Sequence, residues 1–297
     1  MATQIKQSKG DAVFDGINHI LLAFIILAAT YPLVFVLSAS VSDPMAIFEG
    51  KVWLLPKNIT FSAYKAVATN PDIMMGYRNT ILYTVVGTMI NLIMTVMGAY
   101  PLSKKDFFGR NFITILFTFT MFFSGGLIPT YLLIKNLNLY NNFWAMILPG
   151  AVGMWNLVIV RNYFQNSIPV ELQEAAYMDG CSNTGTLLKV VLPLSKPILA
   201  VMVIFYGVGH WNQFFSALIY LSDRNKFPLQ LILREILLQH DMNNMLSDTG
   251  ENLAQQQLLA EALKYAVIVV ASLPVLMLYP ILQRYFVKGV MVGAIKG

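Results

Sequence analysis

Five side chains late in the sequence, Tyr206, His210, Trp211, Asn212 and Gln213, place aromatic faces and hydrogen-bonding groups inside an otherwise apolar run. Spacings of four and three residues put Tyr206, His210 and Gln213 on one face of a helix. Sugars suit such groups, because their rings stack on aromatic faces and their hydroxyls need both donors and acceptors. The same side chains can instead join helices through interhelical hydrogen bonds, each worth about 0.6–2 kcal/mol in a membrane. Asn91 and Asn156, in two other apolar runs, carry the same two readings. A second chemical group lies between Glu171 and Pro197, a polar island in apolar sequence. Its chemistry is contact: Glu174 and Asp179 can pair with basic groups or cap backbone N–H, beside the small Ala175 and Ala176.

Nothing in the sequence supports covalent catalysis. There is no G-x-S-x-G elbow and no H-E-x-x-H pair. Gly50-Lys51 lacks the earlier glycine and the following Ser or Thr of a phosphate-binding loop, so the chain holds no ATPase of its own. Cys181 is the single cysteine and excludes an intrachain disulfide, and three scattered histidines make no metal-ligand spacing. No catalytic residue, cofactor or metal is expected in this chain.

The elements that position these groups are membrane helices. Of 297 residues 57% are hydrophobic and 12% charged, against about 45–50% and about 25% in soluble domains. Six apolar runs are long enough to cross a bilayer: Ile17 to Ser38, Thr80 to Leu102, Asn111 to Ile134, Phe143 to Val160, Ile198 to Leu221 and Leu263 to Gln283. Pro149, Gly150 and Gly153 interrupt the fourth, which neighbouring helices can tolerate. The expected fold is all-α and polytopic, with six transmembrane helices: an N-terminal tail over 1–16 and a single transmembrane domain over 17–297. The first run exceeds a signal-peptide core of 7–15 residues, and Asp11 and Asp15 dilute the charge before it, which favours an uncleaved anchor.

Placement of Lys and Arg orients the chain. With the N-terminus in the cytoplasm, segments 1–16, 103–111, 161–197 and 284–297 lie inside and hold eleven basic and six acidic residues. The rest holds nine of each, so the whole net charge of +5 falls on the cytoplasmic side. Lys104, Lys105 and Arg110 in one short loop are the sharpest local signal. The basic balance therefore reports topology, not nucleic-acid binding, and both termini and the polar island are expected in the cytoplasm. The runs contain no Asp or Glu in their cores, which removes the usual driver of an ion-coupled carrier.

Within the island, Pro169 suits a first helical turn and Glu171 the positive end of the helix dipole. Gly180 offers the left-handed turn that ends a helix, Ser182 or Asn183 caps a second one over about Thr184 to Val191, and Pro193 and Pro197 are expected to stop it. Two short helices make a knuckle over about 167–197. These residues alone leave open whether it docks on another protein or packs beneath its own bundle.

Glu174-Ala175-Ala176, Gly180 six residues after the Glu, and Val190-x-Leu192-Pro193 resemble the E-A-A-x3-G-x9-I-x-L-P loop of binding-protein-dependent ABC importer permeases. Val190 replaces Ile, a small change within the aliphatic class. The six-run layout, the Pro101 to Asp106 loop, the Gly207 to Asn212 stretch and the tail YPILQRYFVKGVMVGAIKG resemble the smaller membrane subunit of maltose-type carbohydrate importers, more narrowly the lipoprotein- or polygalacturonan-type oligosaccharide permeases. That resemblance implies a cell-membrane transport subunit without enzymatic activity. Glu174, Ala175, Ala176, Asp179, Gly180, Val190, Leu192 and Pro193 would couple it to an ATPase dimer, the partner that binds ATP and Mg. It further implies a second, homologous permease subunit and an extracytoplasmic solute-binding protein. The external segments 39–79 (with Trp53, Pro56, Tyr64 and Tyr77) and 222–261 are candidates for meeting the binding protein. In the second segment, Leu229, Ile232, Leu233, Ile236 and Leu237 predict an amphipathic helix with Arg234, Glu235 and Gln239 opposite. Its apolar face fits packing on the bundle or the lipid interface better than a partner. The alternatives are a permease for another delivered solute, such as a polyamine or phosphate, and an ion-coupled carrier or passive channel.

Overall fold

The computed structural model describes residues 9–246, 261–277 and 280, and every regular element among them is helical. Contacts divide the backbone into two units. One comprises residues 1–70 and 236–272, the other 71–235 and 273–297.

In the first unit, helix α1 (Lys9–Ser40) has 32 residues and spans about 48 Å at 1.5 Å per residue, ample for a hydrocarbon core of about 30 Å. Its Leu and Ile side chains are exposed, as lipid requires, while Phe35 is half-buried edge-on to Tyr265 at 5.6 Å. Serines tie down its C-terminal end: Ser38 donates to the Leu54 carbonyl (2.6 Å), Ser42 to the Ser38 carbonyl (2.6 Å), and Ser40 meets the Tyr64 hydroxyl (2.8 Å). Short helices α2 (Pro44–Phe48) and α3 (Ser62–Thr69) follow.

The second unit is built on α4 (Pro71–Ser103), 33 residues without a break. Its buried stripe runs Gly76, Thr80, Tyr83, Gly87, Asn91, Thr95, Ala99 and Leu102, at steps of three and four. Lipid already solvates apolar side chains, so the interior face carries small and hydrogen-bonding residues that admit close neighbours. The chain continues through α5 (Arg110–Phe122) and α6 (Leu127–Asn136), two 3-10 turns over 143–150, and α7 (Met154–Asn166). Next come α8 (Val170–Met178), α9 (Asn183–Thr186), a π-helical segment Leu187–Val191, α10 (Leu192–Leu194) and α11 (Lys196–Trp211). Helix α12 (Phe215–Tyr220) follows; α13 (Leu229–Leu246) and α14 (261–277) each contribute residues to both units.

Among the described residues two helices, α1 and α4, are long and apolar enough to cross a membrane. Three further pairs qualify only as bent units. The third run, expected as one crossing, breaks by 113° between α5 and α6, where Gly126 adopts φ +87°. The fourth bends by 51° ahead of α7. Before the fifth, Asn183–Leu194 and α11 meet at 82°. Up to five spans follow if each bent pair is one crossing. Of the sixth run and the tail, only 263–277 and 280 lie among the described residues.

The prolines correct one expectation. Pro193 does not end the second helix at Val191; it sits in α10, and the helical stretch ends at Leu194, ahead of Pro197 in the first turn of α11. Pro193 cannot donate to the Lys189 carbonyl, and the preceding turn widens so that Leu192 N–H bonds the Leu187 carbonyl five residues back. The bend falls at Ser195.

The amphipathic helix forms as α13. Leu229, Ile232 and Leu233 are buried, and Leu231, outside the predicted stripe, is buried too. Its start is pinned to α4, where Gly76 leaves no room for a Cβ (2.6 Å from Ile232 Cδ1) and Thr80 Oγ1 accepts from Leu229 N–H at 2.8 Å. Arg224, in the preceding turn, pairs with Asp72 (2.8 Å) and Glu235 (3.0 Å), and the Asp72 hydrogen bond raises its pKa above the ordinary value. Replacing Thr80 by Val keeps the volume but orphans a buried N–H, and should cost about 1–3 kcal/mol. The expected result is a lower thermal midpoint in detergent and faster amide exchange at Leu229.

Candidate functional site

The knuckle is held by backbone geometry. At the end of α8, Gly180 adopts φ +78°, Gly180 N–H bonds the Tyr177 carbonyl (3.0 Å) and Cys181 N–H the Ala176 carbonyl (2.9 Å). This pair of bonds is the Schellman termination, which needs a left-handed residue at the glycine position. A Cβ there would meet nothing within 4 Å, so the glycine is required by its φ and not by crowding. Ser182 then caps α9, its Oγ accepting from Gly185 N–H (3.1 Å).

Burial divides the motif residues into two faces. Ala176 is buried, and Val190 and Leu192 are half-buried beside the buried Val191. Glu174, Ala175, Asp179, Gly180 and Pro193 are exposed. Met178, which sequence reasoning passed over, is 88% exposed. With Leu172 it adds an apolar component to a surface that also carries two carboxylates.

The inner face meets the end of α4. Lys104 Nζ donates to Gln173 Oε1 and to the Tyr177 hydroxyl (3.2 Å), and Tyr177 donates to Asn183 Oδ1 (2.5 Å). Tyr100 reaches the Asn183 carbonyl at 3.3 Å. In the sequence Lys104 registers only as a topology charge; its spacing from Gln173 carries no signal.

The second group of residues makes a polar layer between helices. Tyr206 meets Thr95 (2.7 Å), and His210 Nε2 meets Asn91 Oδ1 (2.7 Å). Asn91, fully buried, donates its amide to the Gly150 carbonyl at 2.6 Å. Gln213 donates to the Met146 carbonyl (3.3 Å), with its Oε1 3.3 Å from His210 Nδ1. A carbonyl can only accept, so Asn91 accepts with Oδ1 and His210 Nε2 is the donor. Among the described residues no charged side chain bonds to this network. Asn91 and Gln213 thus satisfy backbone of the 3-10 turns where the fourth run is broken.

The predicted face is real for Tyr206 and His210, but α11 ends at Trp211, leaving Asn212 as its cap and Gln213 beyond. Trp211 is buried edge-on to Tyr77 at 5.8 Å, and Asn212 lies 3.5 Å from Gln230. Asn156 is outside the network. Gly87 is a residue the sequence reading missed: a Cβ there would lie 2.4 Å from His210 Nε2. Beside the layer is a cavity of about 490 Å³, lined by Leu92, Gly207 and Leu276 among others. The Thr84 and Thr88 hydroxyls also line it and have no hydrogen-bond partner among the described residues. No cluster of three or more metal-ligating side chains occurs among the described residues.

Two long apolar helices and up to three bent pairs among the described residues are consistent with a multi-pass membrane protein, and the knuckle adds an exposed, partly apolar surface to it. Residues 73–292 match the family described as binding-protein-dependent transport system inner membrane component, and the chain belongs to that family. It is therefore a permease component, with ATP hydrolysis residing in a separate subunit. It is 40% identical over 290 residues to protein LplC of Bacillus subtilis, covering 98% of this chain and 97% of that one. To the polygalacturonan/rhamnogalacturonan transport system permease protein YtcP of the same organism it is 37% identical, covering 96% and 99%. A crystal structure of a bacterial ABC transporter involved in import of the acidic polysaccharide alginate contains a similar chain. Its TM-score is 0.87 at 36% identity, covering 95% of this chain and 100% of that chain.

The layer makes a specific forecast. Asn91→Leu removes partners from both Gly150 and His210, and should lower stability by about 0.6–2 kcal/mol, as for interhelical hydrogen bonds in membranes. Thermal unfolding in detergent of Asn91→Leu, His210→Phe and the double variant measures it. The double variant should lose clearly less than the sum of the singles.

Proposed function

We propose that this chain is one of two membrane subunits of an ATP-driven importer of carbohydrates, taken up as oligosaccharides. A homologous permease subunit completes the path, a dimeric ATPase drives it, and a solute-binding protein outside the membrane delivers the cargo. In this reading the chain crosses the cell membrane six times with both termini in the cytoplasm, α14 beginning the sixth crossing. The knuckle then faces the ATPase. Glu174, Ala175, Met178 and Asp179 form the seated surface, Gly180 sets the angle between its two helices, and Val190, Leu192 and Pro193 connect it to α11.

The observation that carries this reading is the exposed face of a knuckle that is itself rigidly built. Large apolar groups held in water on a rigid projection are the mark of a contact surface. Carbohydrate as cargo rests on the relatives: one is named for polygalacturonan and rhamnogalacturonan, and the similar solved transporter for alginate. Acidic oligosaccharides are therefore the first substrates to try. Tyr206, His210 and Gln213 have their polar atoms engaged between helices, so they shape the path from behind its wall, while Trp211 and Asn212 end the helix beside it.

The test is reconstitution in liposomes with the ATPase, the second permease and the binding protein. ATP-dependent uptake of oligogalacturonide or another oligosaccharide supports the proposal; uptake by this chain alone, without ATP, refutes it. Within that assay Gly180→Val, a β-branched residue forced to positive φ, should still allow membrane insertion. It should reduce ATPase stimulation by loaded binding protein at least tenfold. Normal stimulation would remove Gly180 from the coupling surface.

A further inference from the structure

The knuckle is fastened to the bundle at a place its motif does not include. Lys104, one residue beyond α4, sends its ammonium to Gln173 Oε1 and the Tyr177 hydroxyl, both on α8. The same ammonium lies 5.0 Å from the ring centre of Tyr100 and 5.2 Å from that of Tyr177, within range of cation–π attraction to both. Tyr100 and Tyr177 in turn hold Asn183 through its carbonyl and its side-chain oxygen, so α9 is gathered in as well. Lys104 is itself braced. Its N–H bonds the Pro101 carbonyl (3.1 Å), and Arg161 and Gln165 of α7 donate to the carbonyls of Leu102 (3.0 Å) and Ser103 (3.3 Å).

The element at the other side of this attachment is the stiff one. Toward α11 the knuckle is joined through a π-helical turn and an 82° bend, either of which can absorb a displacement. Toward α4 it meets 33 unbroken helical residues. On that helix Thr95 and Asn91, the latter thirteen residues or about 20 Å before Lys104, bond Tyr206, His210 and the Gly150 carbonyl. Movement delivered at α8 therefore reaches the polar layer along α4, which stays helical through Pro101.

We propose that Lys104 is a positioning residue for coupling: it clamps the knuckle to α4 and makes α4 the rod that carries ATPase motion to the polar layer. The proposal rests on the knuckle being the ATPase-facing element. Lys105 supplies the control, since it carries the same charge one residue on, is exposed and makes no hydrogen bond among the described residues.

The experiment uses the assembled complex with Lys104→Met, Lys105→Met and Lys104→Arg, reading oligosaccharide imported per ATP hydrolysed and amide exchange over residues 172–183. Lys104→Met should assemble and hydrolyse ATP, yet import at least tenfold less per ATP, with faster exchange over the knuckle. Lys105→Met should match the wild type, and Lys104→Arg, which keeps the cation and its donors, should recover to within about threefold. If Lys104→Met fails to assemble, Gln173→Leu with Tyr177→Phe removes the acceptors from the other side and must uncouple in the same way. Unchanged coupling in Lys104→Met, or in that pair, would overturn the clamp, as would equal loss in Lys105→Met. A wild-type complex that imports no carbohydrate would instead defeat the importer reading, while amide exchange, which needs no substrate, still judges the clamp.

Discussion

A bilayer offers no water to a broken helix, and the hydrogen bond from Asn91 to the Gly150 carbonyl is where this constraint is met most directly. The chain leaves regular helix over 143–150, which frees carbonyls that its own backbone cannot pair. Asn91 takes one and Gln213 another, and His210 lies between the two amides. Because Asn91 must donate to a carbonyl, its remaining oxygen needs a proton on His210 Nε2. Gly87 is then obligatory, since the imidazole lies over the backbone at that position.

The rest of the second unit follows from the same economy of polar groups. Helix α4 keeps its lipid face apolar and spends its buried stripe on Gly, Thr, Asn and Ala, so α7 and α11 approach closely enough for side chains to bond across. The polar layer sits beside a buried apolar cluster that includes Leu157, Val160, Phe164 and Met202. The broken elements of the unit lie around one unbroken helix. That division suits a transporter, which must keep some parts rigid while others change angle.

Much of this was legible in the sequence because its signals are local. The Schellman glycine at 180, the Ser182 cap, the start of α8 near Pro169 and the amphipathic stripe of α13 each depend on residues a few positions apart. The breaks were less visible. Ser124-Gly125-Gly126 lies within a run that reads as one apolar crossing, and nothing in hydropathy distinguishes a straight span from one turned by 113°. Pro193 misled for a different reason: its effect depends on whether the turn before it can widen. Partners distant in sequence, Lys104 with Gln173, Gly87 with His210 and Thr80 with Leu229, had no sequence signature at all, since long-range contact leaves no periodic trace.

The central claim is that the outward face of the knuckle is covered by the ATPase. In a Cys181→Ser background, Met178→Cys supplies one thiol at an 88% exposed position on that face. Its rate of modification by a membrane-impermeant maleimide, on the purified permease pair and on the full complex, measures the claim directly. The account predicts at least a tenfold slower reaction when the ATPase is bound; an unchanged rate in a complex that retains its ATPase would contradict it.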